Sequence, residues 1–298
     1  MPATSPWPGD ALAVSPPSTG KRPGLNRGEA QLQVLAAGGY GIWMWLGLSL
    51  LLGLNPLGRN GTQAPLTLGA LLIGTGLLLA CLRVPGLTRW HGWTLRLGQR
   101  PTRAATLAMV TWLPALAVAL LTGDGSSFWI TRLAGAGLMV CSLACVLQTA
   151  QDDRTDLPPT LLHLTTLLPA CRIATAAYTG GLWLWLSLLV RGAPNGNGDL
   201  LWRLLLIVLA LGLGLLDGGL WQALREPGLP TSRDPLLRRR LAAALLSYAL
   251  PCTALLLGTA ASSLLVAVLA VPGCVLGRLL DRDLYVGALA EARAAGAG

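Results

Sequence analysis

Long apolar segments alternate with short polar ones along most of the chain. The apolar runs lie near residues 31–54, 66–84, 105–122, 128–150, 161–189, 200–223, 241–259 and 262–280. A helix needs about 20 apolar residues to cross the hydrocarbon core of a bilayer. The pattern therefore predicts an all-α fold, an integral membrane bundle of about eight transmembrane helices.

The polar segments divide the chain into three parts. Residues 1–30 are rich in Pro, Ser and Gly and lack a periodic apolar face, which predicts a disordered tail. Residues 31–280 form the predicted transmembrane domain, and residues 281–298 a short C-terminal tail. The break at 258–263 contains no charged residue, so seven helices is the main alternative to eight.

Composition excludes an ordinary soluble domain. The chain is 53% hydrophobic and only 12% charged, whereas soluble domains contain about 25% charged residues to cover their surface. Lipid must therefore solvate much of the surface. The net charge of +9 lies in short loops between apolar runs, so membrane topology explains it better than binding to nucleic acid.

The distribution of basic residues predicts the orientation. With eight helices, seventeen Lys and Arg residues lie on the side of both termini and four on the other side. Basic residues accumulate in cytoplasmic loops. We therefore expect a multi-pass protein of the inner (plasma) membrane with both termini in the cytoplasm, which also favours an even number of helices.

Two charged residues lie within predicted spans, Arg172 in the fifth and Asp217 in the sixth. Each costs at least about 2.5 kcal/mol to insert, so such groups pair or line a polar cavity. The two helices run in opposite directions and place both residues at a similar depth, so their side chains are within reach of each other. Two interpretations stay open: a structural ion pair between helices, or a proton path or polar wall of a quinone pocket.

The predicted cytoplasmic loop at 85–104 interleaves aromatic, apolar and basic residues, a pattern typical of segments in the headgroup plane. It is either an anchoring loop, a docking surface for a soluble subunit, or a set of donors for a quinone headgroup. Histidine titrates near neutral pH, which makes His91 a candidate partner for the protons of a quinol.

Metal and haem sites are not expected. The two histidines, His91 and His163, both lie near the cytoplasmic boundary and do not form a facing pair of haem ligands. No Cys, His and carboxylate residues have metal-ligand spacing. The aspartates at 152–156 are interpreted as a solvated turn, because a second Asp-rich motif is missing and Asp281 and Asp283 follow the last predicted helix.

Three stretches resemble motifs of the dimethyl-sulfoxide-reductase membrane-anchor family. They read LRLGQRPTRAA at 95–105, TWLP at 111–114 and LGRLLDRDLY at 276–285. The matching residues are Gly98, Pro101, Arg103, Ala104, Trp112, Gly277 and Arg278. The sequence departs from the family where the motif histidine is Arg96 and where the acid after the Trp motif has no counterpart.

The resemblance implies a non-catalytic anchor subunit of a molybdenum oxidoreductase complex. Such a subunit docks an iron–sulfur subunit and a molybdopterin catalytic subunit, and exchanges electrons with menaquinone or ubiquinone. The candidate residues for quinone binding or a proton path are His91, Arg96, Arg103, Trp112, Arg172 and Asp217. The candidate docking residues are Arg89, Arg100 and Arg278. The missing family acid implies that Arg172, Asp217 or His91 takes its role.

Three other functions are weighed against the anchor, and one of them is a membrane scaffold without a ligand. A stand-alone transporter would use Arg172 and Asp217, and it predicts internal repeats, of which none is convincing. An intramembrane enzyme acting on a lipid or prenyl substrate predicts a second acidic motif, which the sequence lacks.

Overall fold

The computed structural model describes residues 27–53, 58–82, 103–121, 128–155, 166–190, 197–224, 233–257 and 263–295, and every extended element in them is a helix. The elements are α1 (Arg27–Leu51), α2 (Gly58–Leu82), α3 (Arg103–Leu121), α4 (Phe128–Thr155), α5 (Leu167–Val190), α6 (Asn197–Leu224), α7 (Arg233–Ala244), α8 (Leu250–Leu257) and α9 (Ser263–Ala295). A π-helical turn, Leu245–Ala249, joins α7 to α8. The predicted all-α fold is confirmed over these residues, while most of the predicted disordered tail lies outside them.

Six helical segments among the described residues are long and apolar enough to cross a membrane. They are Gln33–Leu51, Trp129–Gln151, Leu167–Val190, Leu200–Gln222, Leu237–Leu257 and Leu264–Leu289. The chain is thus a multi-pass membrane protein by length and composition of its helices. The expected number of about eight is not confirmed, since α2 and α3 are not in this set.

Two helices extend further than the sequence pattern predicts. Helix α4 continues to Thr155, so the aspartates interpreted as a solvated turn begin inside a helix. Helix α9 continues to Ala295 instead of ending near residue 280. Its last two turns contain several alanines, which have the highest helix propensity. Asp281 and Arg282 therefore belong to the last helix and not to a tail.

Helix α1 lies at the centre of the first half and packs against α2, α4 and α5. Small residues allow close approach between helix backbones in lipid. Gly41 of α1 faces Gly180 of α5 so closely that a Cβ on Gly41 would overlap the backbone of Ala176. Nearby, the buried Trp43 donates its indole N–H to the carbonyl of Leu66 at 3.0 Å.

A second core joins α5, α6, α8 and α9, with Tyr178, Leu206, Leu255 and Val271 among its fully buried members. The outer faces of the helices carry exposed leucines, such as Leu215 at 78% exposure. Exposed leucine on this scale suits a surface that contacts lipid tails.

Pro251 explains the π-helical turn between α7 and α8. Proline has no backbone N–H, so it cannot bond the carbonyl four residues earlier, which belongs to Ser247. The helix widens there, and Leu250 bonds the carbonyl of Leu245 instead. The freed Ser247 carbonyl accepts a hydrogen bond from the Tyr178 hydroxyl at 3.2 Å. The same turn holds Tyr248 against α6 and α9.

The close α1–α5 contact can be tested by adding one methyl group. Gly41→Ala is expected to lower the free energy of unfolding by about 1–3 kcal/mol, because the Cβ meets backbone that has no room to move. The matched control is Gly212→Ala in α6, where a Cβ has no atom within 4 Å. SDS-titration unfolding of the detergent-purified variants measures both. Equal stabilities for the two variants would contradict the packing described.

Candidate functional site

Six charged residues gather at one end of the helical bundle. The residues are Asp153, Arg172, Asp217, Arg278, Asp281 and Arg282. Asp153 lies near the end of α4, Arg172 near the start of α5, and Asp217 in the last third of α6; the other three lie along α9. With a rise of about 1.5 Å per residue, Asp217 is about 10 Å from the end of its helix. We call this group the charged cluster.

The carboxylate of Asp217 is satisfied by three donors. Arg278 donates from Nη1 at 2.5 Å, the thiol of Cys171 donates at 2.8 Å, and the hydroxyl of Tyr248 also donates to it. The second Nη of Arg278 donates to the Tyr248 hydroxyl at 2.8 Å. These bonds link α5, α6, the π-helical turn and α9 through one buried carboxylate.

The carboxylate of Asp153 binds two guanidinium groups. Arg172 donates to its Oδ2 from Nε at 2.9 Å and from Nη2 at 2.5 Å. Arg282 donates to its Oδ1 at 2.7 Å and also reaches the side-chain oxygen of Gln33 at 3.1 Å. This second group of bonds joins α4, α5 and α9 to the beginning of α1.

A direct ion pair between Arg172 and Asp217, one of the two interpretations of these charges, is wrong, because the structure gives each residue a different partner. Arg172 pairs with Asp153, and Asp217 pairs with Arg278. The physical reason lies in two other helices: α4 continues to Thr155 and brings Asp153 to Arg172, and α9 brings Arg278 to Asp217. Both Arg172 and Asp217 nevertheless line the same cavity.

Asp281, the third acid of the cluster, bonds a neutral partner. It accepts a hydrogen bond from the indole N–H of Trp221 on α6 at 3.2 Å. The guanidinium of Arg240 on α7 lies over the Trp221 ring, 4.5 Å from its centroid. This contact extends the polar region from α9 to the first turns of the α7–α8 segment.

A cavity of about 50 Å³ lies within the cluster. Its charged and polar lining includes Arg172, Asp217, Arg278, Asp281, Arg282 and Tyr285. A water molecule needs about 10–15 Å³ measured in this way, so a few waters fit. Pockets for drug-sized ligands measure about 300 Å³ or more, so this cavity is far smaller than such a pocket.

Of the other sequence-predicted site residues, Trp112 is the one whose side chain the structure describes, and it lies outside the cluster. Trp112 is half-buried and packs edge-on against Trp43, with ring centroids 5.3 Å apart. Arg103 is the first residue of α3, and its side chain lies outside the described part. His91, Arg96, Arg89 and Arg100 also lie outside the described residues.

The docking role expected for Arg278 is corrected by the structure. The residue is only 5% exposed and is held by Asp217 and Tyr248. A side chain enclosed in this way cannot contact a soluble partner. Its position in α9 makes it part of the cluster.

Sequence reasoning does not identify three residues of the charged cluster, Asp153, Asp281 and Arg282, nor Tyr248, which bonds two of its members. The three charged residues give a signal in the sequence, since they lie in the Asp-rich segments at 152–156 and 281–283. Tyr248 gave none beyond its place three residues before Pro251.

Comparisons with known proteins identify no family for this chain. No family model matches it, and no curated protein and no solved structure matches it either.

The pairing in the cluster can be tested with double-mutant cycles. Asp217→Asn alone is expected to cost about 3–5 kcal/mol of unfolding free energy, because it leaves Arg278 buried without its counter-charge. Combined with Arg278→Gln, the loss is expected to be much smaller than the sum of the two single losses. Combined with Arg172→Gln, the losses are expected to be closer to additive. Stronger coupling of Asp217 to Arg172 than to Arg278 would contradict the observed pairs.

Proposed function

We propose that this chain is the membrane-anchor subunit of a molybdenum oxidoreductase complex and exchanges electrons with the quinone pool. In this function it docks an iron–sulfur subunit, which passes electrons to or from a molybdopterin catalytic subunit. The anchor itself performs no substrate chemistry.

One observation carries the proposal. The C-terminal segment at 276–285 resembles the anchor family, and it supplies Arg278, Arg282 and Tyr285 to the cavity that Arg172 and Asp217 also line. The segment that resembles the anchor family and the two charged residues within predicted spans thus line the same cavity. A segment whose role was confined to the protein surface would not need to line this cavity.

The cavity has the size and chemistry of a proton route. Oxidation of a quinol releases two electrons and two protons, and reduction of the quinone takes up the same numbers. Because the cavity is far smaller than a ligand pocket, we assign headgroup binding to His91, Arg96 and Arg103 and the proton path to Arg172 and Asp217.

The proposed topology has eight crossings, with α2 and α3 added to the six long apolar helices. Both termini then lie in the cytoplasm of a cell with this chain in its inner (plasma) membrane. The bias of Lys and Arg supports this orientation, even after the buried Arg278 and Arg282 are set aside. The charged cluster would face the cytoplasmic end of the bundle.

A stand-alone transporter is the second candidate function. The observation in its favour is the cavity volume of about 50 Å³, which suits water or a small ion better than a quinone. In a transporter, the charged cluster would have the role that the sequence alone assigns to a single Arg172/Asp217 pair. Charged groups inside a membrane bundle commonly mark ion and proton pathways.

Affinity purification tests the anchor function directly. The tagged protein in mild detergent is expected to retain an iron–sulfur protein and a molybdopterin protein, identified by mass spectrometry. Recovery of the chain alone in several detergents would contradict the anchor function and favour transport.

Variants of the same complex test the proton route. Asp217→Asn is expected to reduce quinone-linked turnover by about 100-fold, the size typical of a lost proton relay, while both partners still copurify. The control is Thr253→Ala, whose exposed hydroxyl bonds only the Leu250 carbonyl of its own helix. Unchanged turnover of Asp217→Asn in an intact complex would exclude Asp217 from the route.

Reporter fusions test the topology. A cytoplasm-active reporter is expected to be active at both termini, and a periplasm-active reporter inactive at both. Opposite locations of the two termini would require an odd number of crossings and would contradict the eight-helix topology.

A further inference from the structure

Two buried hydrogen-bond donors at the cavity lack an acceptor among the described residues. The Nε atoms of Arg278 and Arg282 are buried, and neither has a hydrogen-bond partner among the described residues. Both side chains are more than nine-tenths buried and both line the cavity. A buried guanidinium N–H without an acceptor is costly, so such groups usually bond an ordered water or an ion.

The acceptor that meets these donors must be small and must not disturb the charge balance. The cluster contains three arginines and three aspartates, so an added anion would leave it with an excess negative charge, which is expensive to bury. Water accepts from a guanidinium without adding charge, and it also donates to carboxylate oxygens. A polar cavity of about 50 Å³ has room for a few waters with two to four partners each.

We propose that the cavity binds water, and that this water joins the two groups of ion pairs into one hydrogen-bonded network. The network runs from Asp153 through Arg282 to the water, and from the water through Arg278 to Asp217 and Tyr248. With the bonds of Arg172, Cys171 and Gln33, it links α1, α4, α5, α6, the π-helical turn and α9 at one end of the bundle. The binding of water does not depend on the proposed function, whereas its use as a proton route rests on it.

Hydroxyl-radical footprinting by X-ray irradiation tests the proposal, because radicals formed from bound water modify the side chains that touch it. The experiment uses the full-length protein in detergent, with mass spectrometry of the modified residues. Tyr285 and Cys171, which line the cavity, are expected to be modified about tenfold faster than Tyr178 and Cys274. The latter two are at most 1% exposed and lie in the apolar core.

A pair of variants shows that the modification comes from water in this cavity. Val34 lines the cavity, so Val34→Phe is expected to fill much of it and to slow the modification of Tyr285 several-fold. Val208→Phe is the matched control, because Val208 is 65% exposed on the outer face of α6. The modification of Tyr285 should stay unchanged there.

Two outcomes would overturn the proposal. One is protection of Tyr285 and Cys171 equal to that of the core residues, which would mean a dry cavity. The other is modification of Tyr285 that Val34→Phe leaves unchanged, which would place the water outside the cavity. Either result concerns water alone, whereas failure of the proposed function would appear as loss of the partner proteins on purification.

Discussion

Two buried carboxylates, Asp153 and Asp217, determine how the second half of the bundle is arranged. A charge between membrane helices must find its counter-charge locally, because neither lipid nor an apolar core can solvate it. Asp153 binds arginines from α5 and α9, and Asp217 binds an arginine from α9. The rotation of α9 must therefore present Arg278 and Arg282 to two different helices at once. That requirement restricts the rotation of α9 about its axis more than apolar packing alone does.

The π-helical turn belongs to the same arrangement. Pro251 widens the helix and frees the Ser247 carbonyl, which Tyr178 bonds. The widened turn packs closely on α9, where a Cβ on Gly277 would lie 2.7 Å from the backbone nitrogen of Ser247. The result is that Tyr248 reaches both Asp217 and Arg278. Proline thus changes the geometry of one helix locally, and this change places a hydrogen-bond donor next to the carboxylate of another helix.

The sequence predicts the helices well because a membrane span is a long apolar run with a required length. It also identifies Arg172 and Asp217, since charges stand out in such runs. It does not predict their partners. The hydropathy of the last apolar segment decreases near residue 280, which suggests that the helix leaves the membrane there. The aspartates near residue 153 are interpreted as a turn on a different ground, the absence of a second Asp-rich motif. Hydropathy averaged over a segment cannot show that a charged residue at its edge is buried by a neighbouring helix.

The charged cluster is larger than a purely structural role requires. A buried ion pair contributes little net stability, since the loss of hydration offsets most of the attraction between the charges. Well-packed apolar residues would join α5, α6 and α9 at lower cost, as they do in the core around Tyr178 and Leu206. Five of the six charged residues line a polar cavity, and this arrangement is better explained by a property that apolar packing cannot supply. Contact between membrane-embedded carboxylates and water is such a property, and it is what movement of protons through this end of the bundle requires.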